Sequence, residues 1–113
     1  MNRIRATLGE VVVTAVLNES STAGRLWEAL PFESQAQRWG DEVYFETPVE
    51  VGEEEPQADV PSGAVAYWPP GNALCLFFGQ KPYSPVNVVG EIEGDPGVLS
   101  AVDDGKAVRV EAA

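Results

Sequence analysis

The chain has 113 residues, of which 18 are acidic and 7 are basic, giving a formal net charge of −11. Binding to a phosphate backbone depends mainly on lysine and arginine, so we expect no nucleic-acid partner, and anionic membranes are disfavoured for the same reason. The hydrophobic fraction of 44% fits a globular core, and the length fits one domain over residues 1–113. The acidity indicates either an ordinary solvated surface or adaptation to high salt.

Cys75 is the single cysteine, which excludes an internal disulfide, and the apolar run over residues 73–78 predicts a buried, inert thiol. Residues 1–5 precede no long apolar stretch, so no signal peptide is predicted, and no segment reaches the length of a membrane-spanning helix. We therefore expect a cytoplasmic protein, and its oligomeric state stays open.

The first third of the chain predicts a β-hairpin followed by a helix. Residues 3–8 alternate between polar and apolar, residues 11–17 are rich in β-branched side chains, and Gly9 begins a two-residue turn. A helix capped near residues 20–22 then ends at Pro31, which cannot continue the helical hydrogen bonding. Its predicted apolar face, which includes Trp27 as a core residue, consists of Ala23, Leu26, Trp27 and Leu30.

The rest of the chain predicts further short strands separated by turns. Residues 32–40 look irregular, residues 47–51 extend a strand or form an edge strand, and residues 53–59 form an exposed polar loop. Asp95 and Pro96 predict a second short helix. The other predicted strands are residues 43–45, 63–68, 73–78, 86–92 and the C-terminal segment around Val108 and Val110. About eight strands with two short helices predict a mainly β fold, a closed barrel with helices covering its ends.

Three segments resemble cyclophilins. Residues 63–79 resemble the central segment, in which a turn rich in Asn, Gly and Pro leads to a strand with paired phenylalanines, here Phe77 and Phe78. Residues 86–94 resemble the segment that closes the barrel, and residues 31–45 resemble the segment around the catalytic arginine. The runs PFES, WGDE, YF and YWPPG resemble a small prokaryotic cyclophilin-like family of unknown function over nearly the whole chain. The resemblance implies the barrel and no particular activity.

The departures from cyclophilins concern the groups that isomerise a prolyl peptide bond. That activity places an arginine against the prolyl amide beside an apolar pocket. Here Ser34 occupies the position of the arginine, and Arg38 follows four residues later. Leu76 replaces the glutamine that precedes the paired phenylalanines, and the chain contains no histidine. The loop over residues 79–85 is also too short for the usual pocket tryptophan.

Two motifs supply candidate binding residues. Residues 68–72 form either a rigid turn with Trp68 in the core or the wall of a groove. Arg38 and Trp39 provide either an amide-binding donor over an aromatic floor or a surface arginine stacked on a half-buried tryptophan. The candidates for a ligand-binding groove are Arg38, Trp39, Phe45, Trp68, Asn72 and Phe77.

Other kinds of site find little support in the sequence. Glu33, Asp41 and Glu42 could act as paired acid and base, but in so acidic a chain such neighbours arise by chance. They lack histidine or cysteine partners at metal-ligand spacing, and no glycine-rich phosphate loop is present, so we expect no metal and no cofactor. Ser34 and Ser84 have no histidine base.

The sequence therefore favours a non-catalytic module that binds a peptide or a small ligand. The alternative is a weak peptidyl-prolyl cis–trans isomerase that uses Arg38, and a third possibility is a structural or oligomer-forming domain. The first two differ in whether Arg38 points into a groove beside Phe45, Trp68 and Phe77. The third predicts an extended apolar surface instead of a concave one.

Overall fold

A computed structural model describes residues 2–82 and 84–113, and in it nine antiparallel strands curl into a nearly closed barrel. Neighbouring strands follow the order β3-β9-β1-β2-β8-β6-β7-β5-β4. The strands are β1 (Arg3–Leu8), β2 (Val11–Leu17), β3 (Phe32–Gln35), β4 (Gln37–Arg38), β5 (Glu42–Glu46), β6 (Ala64–Trp68), β7 (Ala73–Phe77), β8 (Asn87–Glu93) and β9 (Ala107–Ala112). The described residues also contain one α-helix, α1 (Ser21–Ala29), and two 3₁₀ helices (Pro69–Gly71 and Pro96–Ala101). The predicted mainly β barrel is confirmed.

The N-terminal hairpin and helix follow the sequence prediction. Leu8 pairs with Val11 across the two-residue turn, and Gly9 has the positive φ of +63° that such a turn favours. Ser20 is the N-cap of α1, because its hydroxyl oxygen accepts a hydrogen bond of 3.2 Å from the Ala23 amide. The helix ends two residues before Pro31.

The inner face of the barrel carries the main core, and α1 closes one side of it. Leu26 is 2% exposed and is the main apolar contact of the helix. The prediction that Trp27 is a core residue was only partly right, since Trp27 is half-buried and packs against the edge of this core. Leu99 of the second 3₁₀ helix is fully buried, whereas Val98 beside it is exposed.

Two stretches differ from the prediction because distant partners decide their structure. Residues 32–40 were expected to be irregular, but Phe32 to Gln35 pair with Val110 to Ala107 of β9 and so form β3. Residues 47–51 were expected to form a strand, but they form none. The Tyr67 hydroxyl donates to the Val49 carbonyl at 2.6 Å and accepts from the Val51 amide at 3.3 Å. The buried tyrosine side chain thus provides hydrogen-bond partners for two backbone groups that a neighbouring strand would otherwise bind.

The acidic loop is exposed, as predicted, and one of its carboxylates contacts α1. Glu54 accepts hydrogen bonds from the hydroxyls of Ser21 and Thr22, and these bonds lower the pKa of Glu54. The Glu54 amide donates to Asn87 Oδ1 at 2.9 Å, which connects the loop to β8 as well. The loop is therefore fixed against the first turn of the helix.

Both faces of β7 are buried, which agrees with its apolar sequence. Leu74 and Leu76 face the barrel core, while Cys75 and Phe77 belong to a second apolar cluster on the outer face. Val60 and Val86, from the segments on either side of β6 and β7, cover that cluster. This second layer positions the site described next.

Candidate functional site

A pocket with a volume of about 200 Å³ lies on the outer face of the barrel, over β5, β6 and β7. Of the eight described side chains that line it, four are aromatic and one carries a carboxyl group. We call it the aromatic pocket; its lining residues are Trp39, Glu42, Tyr44, Trp68, Cys75, Phe77, Pro82 and Val86.

Strand alternation explains how β5 and β7 supply the centre of the aromatic pocket. Side chains two residues apart on a strand share one face, so Glu42 and Tyr44 face outward together. On β7, Cys75 lies opposite Tyr44 and Phe77 lies opposite Glu42. These four side chains therefore form one contiguous patch on the outer surface of the sheet.

Trp68 forms a wall that is fixed by its neighbours. Its Nε1–H donates to Ser84 Oγ at 2.6 Å. A Cβ atom added to Gly71 would come within 2.6 Å of the Trp68 ring, so the absence of a side chain allows the turn to pack against the indole. The turn after β6 therefore packs against the Trp68 ring. Trp68 itself is half-buried and lines the aromatic pocket, so features of both interpretations of this motif are present together.

Trp39 stands at the rim, where a tight turn leads into β5. The amide of Trp39 donates to the Glu42 carbonyl at 3.0 Å, and the Glu42 amide donates back at 3.2 Å. Gly40 has a φ of +58°, and a Cβ there would lie 2.0 Å from Gln80 Oε1, which accepts from the Asp41 amide. Trp39 itself is 45% exposed, so this wall is accessible from solvent.

Glu42 is the electrostatic feature of the aromatic pocket. It is 6% exposed, and burial raises the pKa of its carboxyl group, an effect that the neighbouring Cys75 thiol and Gln80 amide partly offset. Burial also raises the pKa of the Cys75 thiol well above its usual value, and the neighbouring Glu42 raises it further. Within residues 2–82 and 84–113, no basic side chain forms an ion pair with Glu42.

Arg38 does not line the aromatic pocket. Its guanidinium donates to the carbonyls of Gly40 (3.1 and 3.0 Å), Ser100 (3.1 Å) and Val102 (2.9 Å), and it lies over the Phe78 ring. These contacts connect β4 to the second 3₁₀ helix. The donors of Arg38 are therefore directed to carbonyls of the chain itself.

Two other predicted groove residues also lie away from the pocket. Phe45 is fully buried on the inner face of β5, where its ring centroid is 6.4 Å from that of Phe32. Asn72 has a φ of +50°, and its Oδ1 accepts from the Tyr67 hydroxyl at 3.0 Å, so it shapes the turn after β6. Ser34, which the sequence resemblance aligned with the cyclophilin arginine, lines a separate groove together with Glu46.

Of the six sequence-based candidates, the pocket brings together Trp39, Trp68 and Phe77. The sequence analysis set Glu42 aside, interpreted Cys75 as a buried and inert thiol, and did not single out Tyr44. A signal was nevertheless present: a barrel strand that is apolar on both faces must have its outer face covered, and Cys75 lies on that face.

Residues of the described ranges contain no group of three or more His, Cys, Asp or Glu side chains placed to bind a metal ion. Within the same ranges, every helix is too short or too polar to cross a bilayer.

Comparisons with known proteins place the chain in a family. A family model described as cyclophilin-like matches residues 2–111. The solution structure of the hypothetical protein AF2241 from Archaeoglobus fulgidus is 39% identical with a TM-score of 0.85, covering 99% of this chain and 95% of that one. A structure of McbB in complex with tryptophan has a TM-score of 0.76 at 18% identity, covering 96% of this chain but only 44% of McbB, and therefore shows likeness of fold alone. No curated protein matches significantly. The chain belongs to the cyclophilin-like family.

Proposed function

We propose that the protein is a binding domain for a small organic molecule whose flat, apolar part enters the aromatic pocket. The observation that carries this proposal is the pocket itself, with Trp39, Tyr44, Trp68 and Phe77 around one buried carboxyl group. Binding sites for small molecules are concave and mostly apolar, with a few polar groups that orient the ligand. The aromatic pocket has this composition.

The size of the pocket favours a compact ligand over an extended peptide. Its volume of about 200 Å³ lies below the roughly 300–1,000 Å³ typical of sites for drug-sized molecules. One or two fused rings with a short substituent suit that space. The segment around Trp39 also leaves the pocket open on one side, since the indole is 45% exposed.

The solved structure of one protein with this fold contains a ligand of the proposed class. McbB holds tryptophan in its solved structure, which is a flat aromatic compound with a polar substituent. Its 18% identity with this chain limits the inference to that general class.

Heteronuclear NMR of the three tryptophan indole N–H groups tests the proposal, because two of them belong to pocket residues and one does not. Indole and 2-phenylethanol are titrated to millimolar concentration. The signals of Trp39 and Trp68 should shift in a saturable manner, while that of Trp27 on α1 should stay in place. Trp39→Ala should weaken the binding without unfolding the chain, since this side chain is partly in solvent. Equal shifts of all three signals, or none, would contradict the proposal.

A further inference from the structure

We infer that the ligand of the aromatic pocket carries a cationic amine, which the Glu42 carboxylate binds. The inference rests on the proposed function and specifies the chemical class of the ligand. It follows from three features of the pocket: a buried acid without a cationic partner, aromatic walls, and acceptor capacity that the chain itself leaves unused.

The first feature is the missing counter-charge. A carboxylate taken out of water is costly unless a cation or several donors compensate it. The basic side chains with ion pairs in the described part of the chain all pair elsewhere: Arg3 with Glu93, Arg5 with Glu111, Arg109 with Glu33 and Glu111, and Lys81 with Asp59. Among the described residues that line the aromatic pocket there is no lysine or arginine. A ligand ammonium would supply the charge that the chain does not.

The second feature is the chemistry of the walls. The faces of tryptophan, tyrosine and phenylalanine rings carry negative electrostatic potential and attract ammonium groups within about 6 Å. Trp39, Tyr44, Trp68 and Phe77 line the same pocket as Glu42, and Phe77 lies directly opposite Glu42 in the sheet. The net charge of −11 adds a long-range field that attracts cations and repels anions. Both terms favour an amine over a neutral or acidic compound of the same shape.

The third feature is hydrogen bonding. An ionised carboxylate offers about four acceptor positions, whereas Glu42 has two neighbouring donors, the Cys75 thiol and the Gln80 amide. Gln80 Nε2 is buried and, in the described residues, has no hydrogen bond of normal geometry. Acceptor positions therefore remain for the N–H groups of an ammonium.

The charge state of the pocket makes this binding depend on pH. Among the described residues, the titratable side chains that face the pocket are Glu42 and Tyr44 from β5 and Cys75 from β7. Burial keeps the Cys75 thiol protonated at neutral pH, and burial also raises the pKa of Glu42. As the pH rises through that raised value the carboxyl ionises, so affinity for an ammonium increases.

Three compounds with one ring and different charge test the inference: phenethylamine, 2-phenylethanol and 3-phenylpropionate. Their dissociation constants are measured by calorimetry and by the Trp39 and Trp68 indole signals. A hydrogen-bonded ion pair is worth about tenfold or more in affinity, so phenethylamine should bind at least about tenfold more tightly than the alcohol, and the acid should bind most weakly. Glu42→Gln should remove the advantage of the amine, so that the ratio of the amine affinity to the alcohol affinity falls to about one.

Glu46→Gln is the matched control, because Glu46 is an exposed carboxylate on the same strand outside the aromatic pocket. It should preserve the preference for phenethylamine. Should Glu42→Gln fail to fold, the wild-type protein still decides: because the pKa of Glu42 is raised above 4.5, the ratio of amine to alcohol affinity must be higher at about pH 8 than at about pH 4.5.

The outcomes separate the two proposals. If 2-phenylethanol shifts the pocket signals and binds as tightly as phenethylamine, the binding function stands and the inference about the amine is wrong. A constant affinity ratio across that pH range has the same meaning. If none of the three compounds shifts the indole signals at millimolar concentration, the proposed function itself is wrong and the inference falls with it.

Discussion

The guanidinium of Arg38 lies over the ring of Phe78, with 5.1 Å between the guanidinium carbon and the ring centroid. The same guanidinium donates four hydrogen bonds to backbone carbonyls of residues 40, 100 and 102. Arg38 thus connects the short strand β4 to the second 3₁₀ helix and to the end of β7.

This arrangement predicts that Arg38→Ala lowers the free energy of unfolding. The change removes hydrogen bonds from a charged donor and leaves the carbonyls of Ser100 and Val102 without this partner. We expect the free energy of unfolding in urea to fall by about 2–3 kcal/mol. Arg5→Ala, which breaks only an exposed ion pair with Glu111, should cost less than about 1 kcal/mol. Equal costs for the two variants would show that the Arg38 contacts do not stabilise the fold.

The same contacts predict the outcome of an isomerase assay. Rotation of a prolyl amide is accelerated by a donor placed against it in a dry pocket, and the Arg38 donors are engaged with backbone carbonyls. We expect no more than weak exchange of an X-Pro peptide in an NMR assay, at low and high salt. Robust isomerisation by the wild type that disappears in a folded Arg38→Ala variant would make isomerisation the function.

We expect the Cys75 thiol to react only slowly with thiol reagents in the folded protein. Only the thiolate reacts with thiol reagents, and burial raises the pKa of this thiol well above its usual value. At about pH 8 a disulfide reagent should modify the native protein at least roughly a hundredfold more slowly than the urea-unfolded chain. Rapid labelling of the native state would mean that the floor of the aromatic pocket opens to solvent.

The barrel could be predicted from the sequence because its signals are local. The alternation in β1, the Gly9 turn, the Ser20 cap and the Asp95–Pro96 start each depend on a few neighbouring residues. The strand β3 was missed because its pairing with β9 joins residues more than seventy positions apart. Such a partner leaves no mark on the sequence of residues 32–35.

The site was only partly predictable for the same reason. Trp68 is noticeable in the sequence because it directly precedes a turn rich in proline and glycine, and Phe77 because it belongs to an apolar predicted strand. Glu42 looks like any other carboxylate in a chain with 18 acidic residues. Its importance comes from the register of β5 against β7, which places it opposite Phe77 on a covered face. Burial of one glutamate among many cannot be deduced from composition or spacing.

The buried carboxyl of Glu42 predicts a pH-dependent contribution to stability. The folded-state pKa lies above the ordinary value of 4.5, so the folded protein binds more protons than the unfolded chain between these two values. The contribution of this group is therefore fully present below about pH 4.5 and is lost as the pH rises through the folded-state pKa. Each unit by which that pKa is raised corresponds to about 1.4 kcal/mol.

Glu42→Gln isolates this contribution, because glutamine keeps the shape and a carbonyl acceptor but cannot ionise. Relative to the wild type, the variant should gain stability in urea unfolding as the pH rises from about 4 to about 8, and the gain should level off above the folded-state pKa of Glu42. Glu46→Gln is the control, because it removes one negative charge at an exposed position of the same strand. If both variants give the same curve of stability difference against pH, desolvation of Glu42 is not its cause. A saturating amine should reverse the effect in the wild type alone, because an ammonium beside the carboxylate stabilises the ionised form.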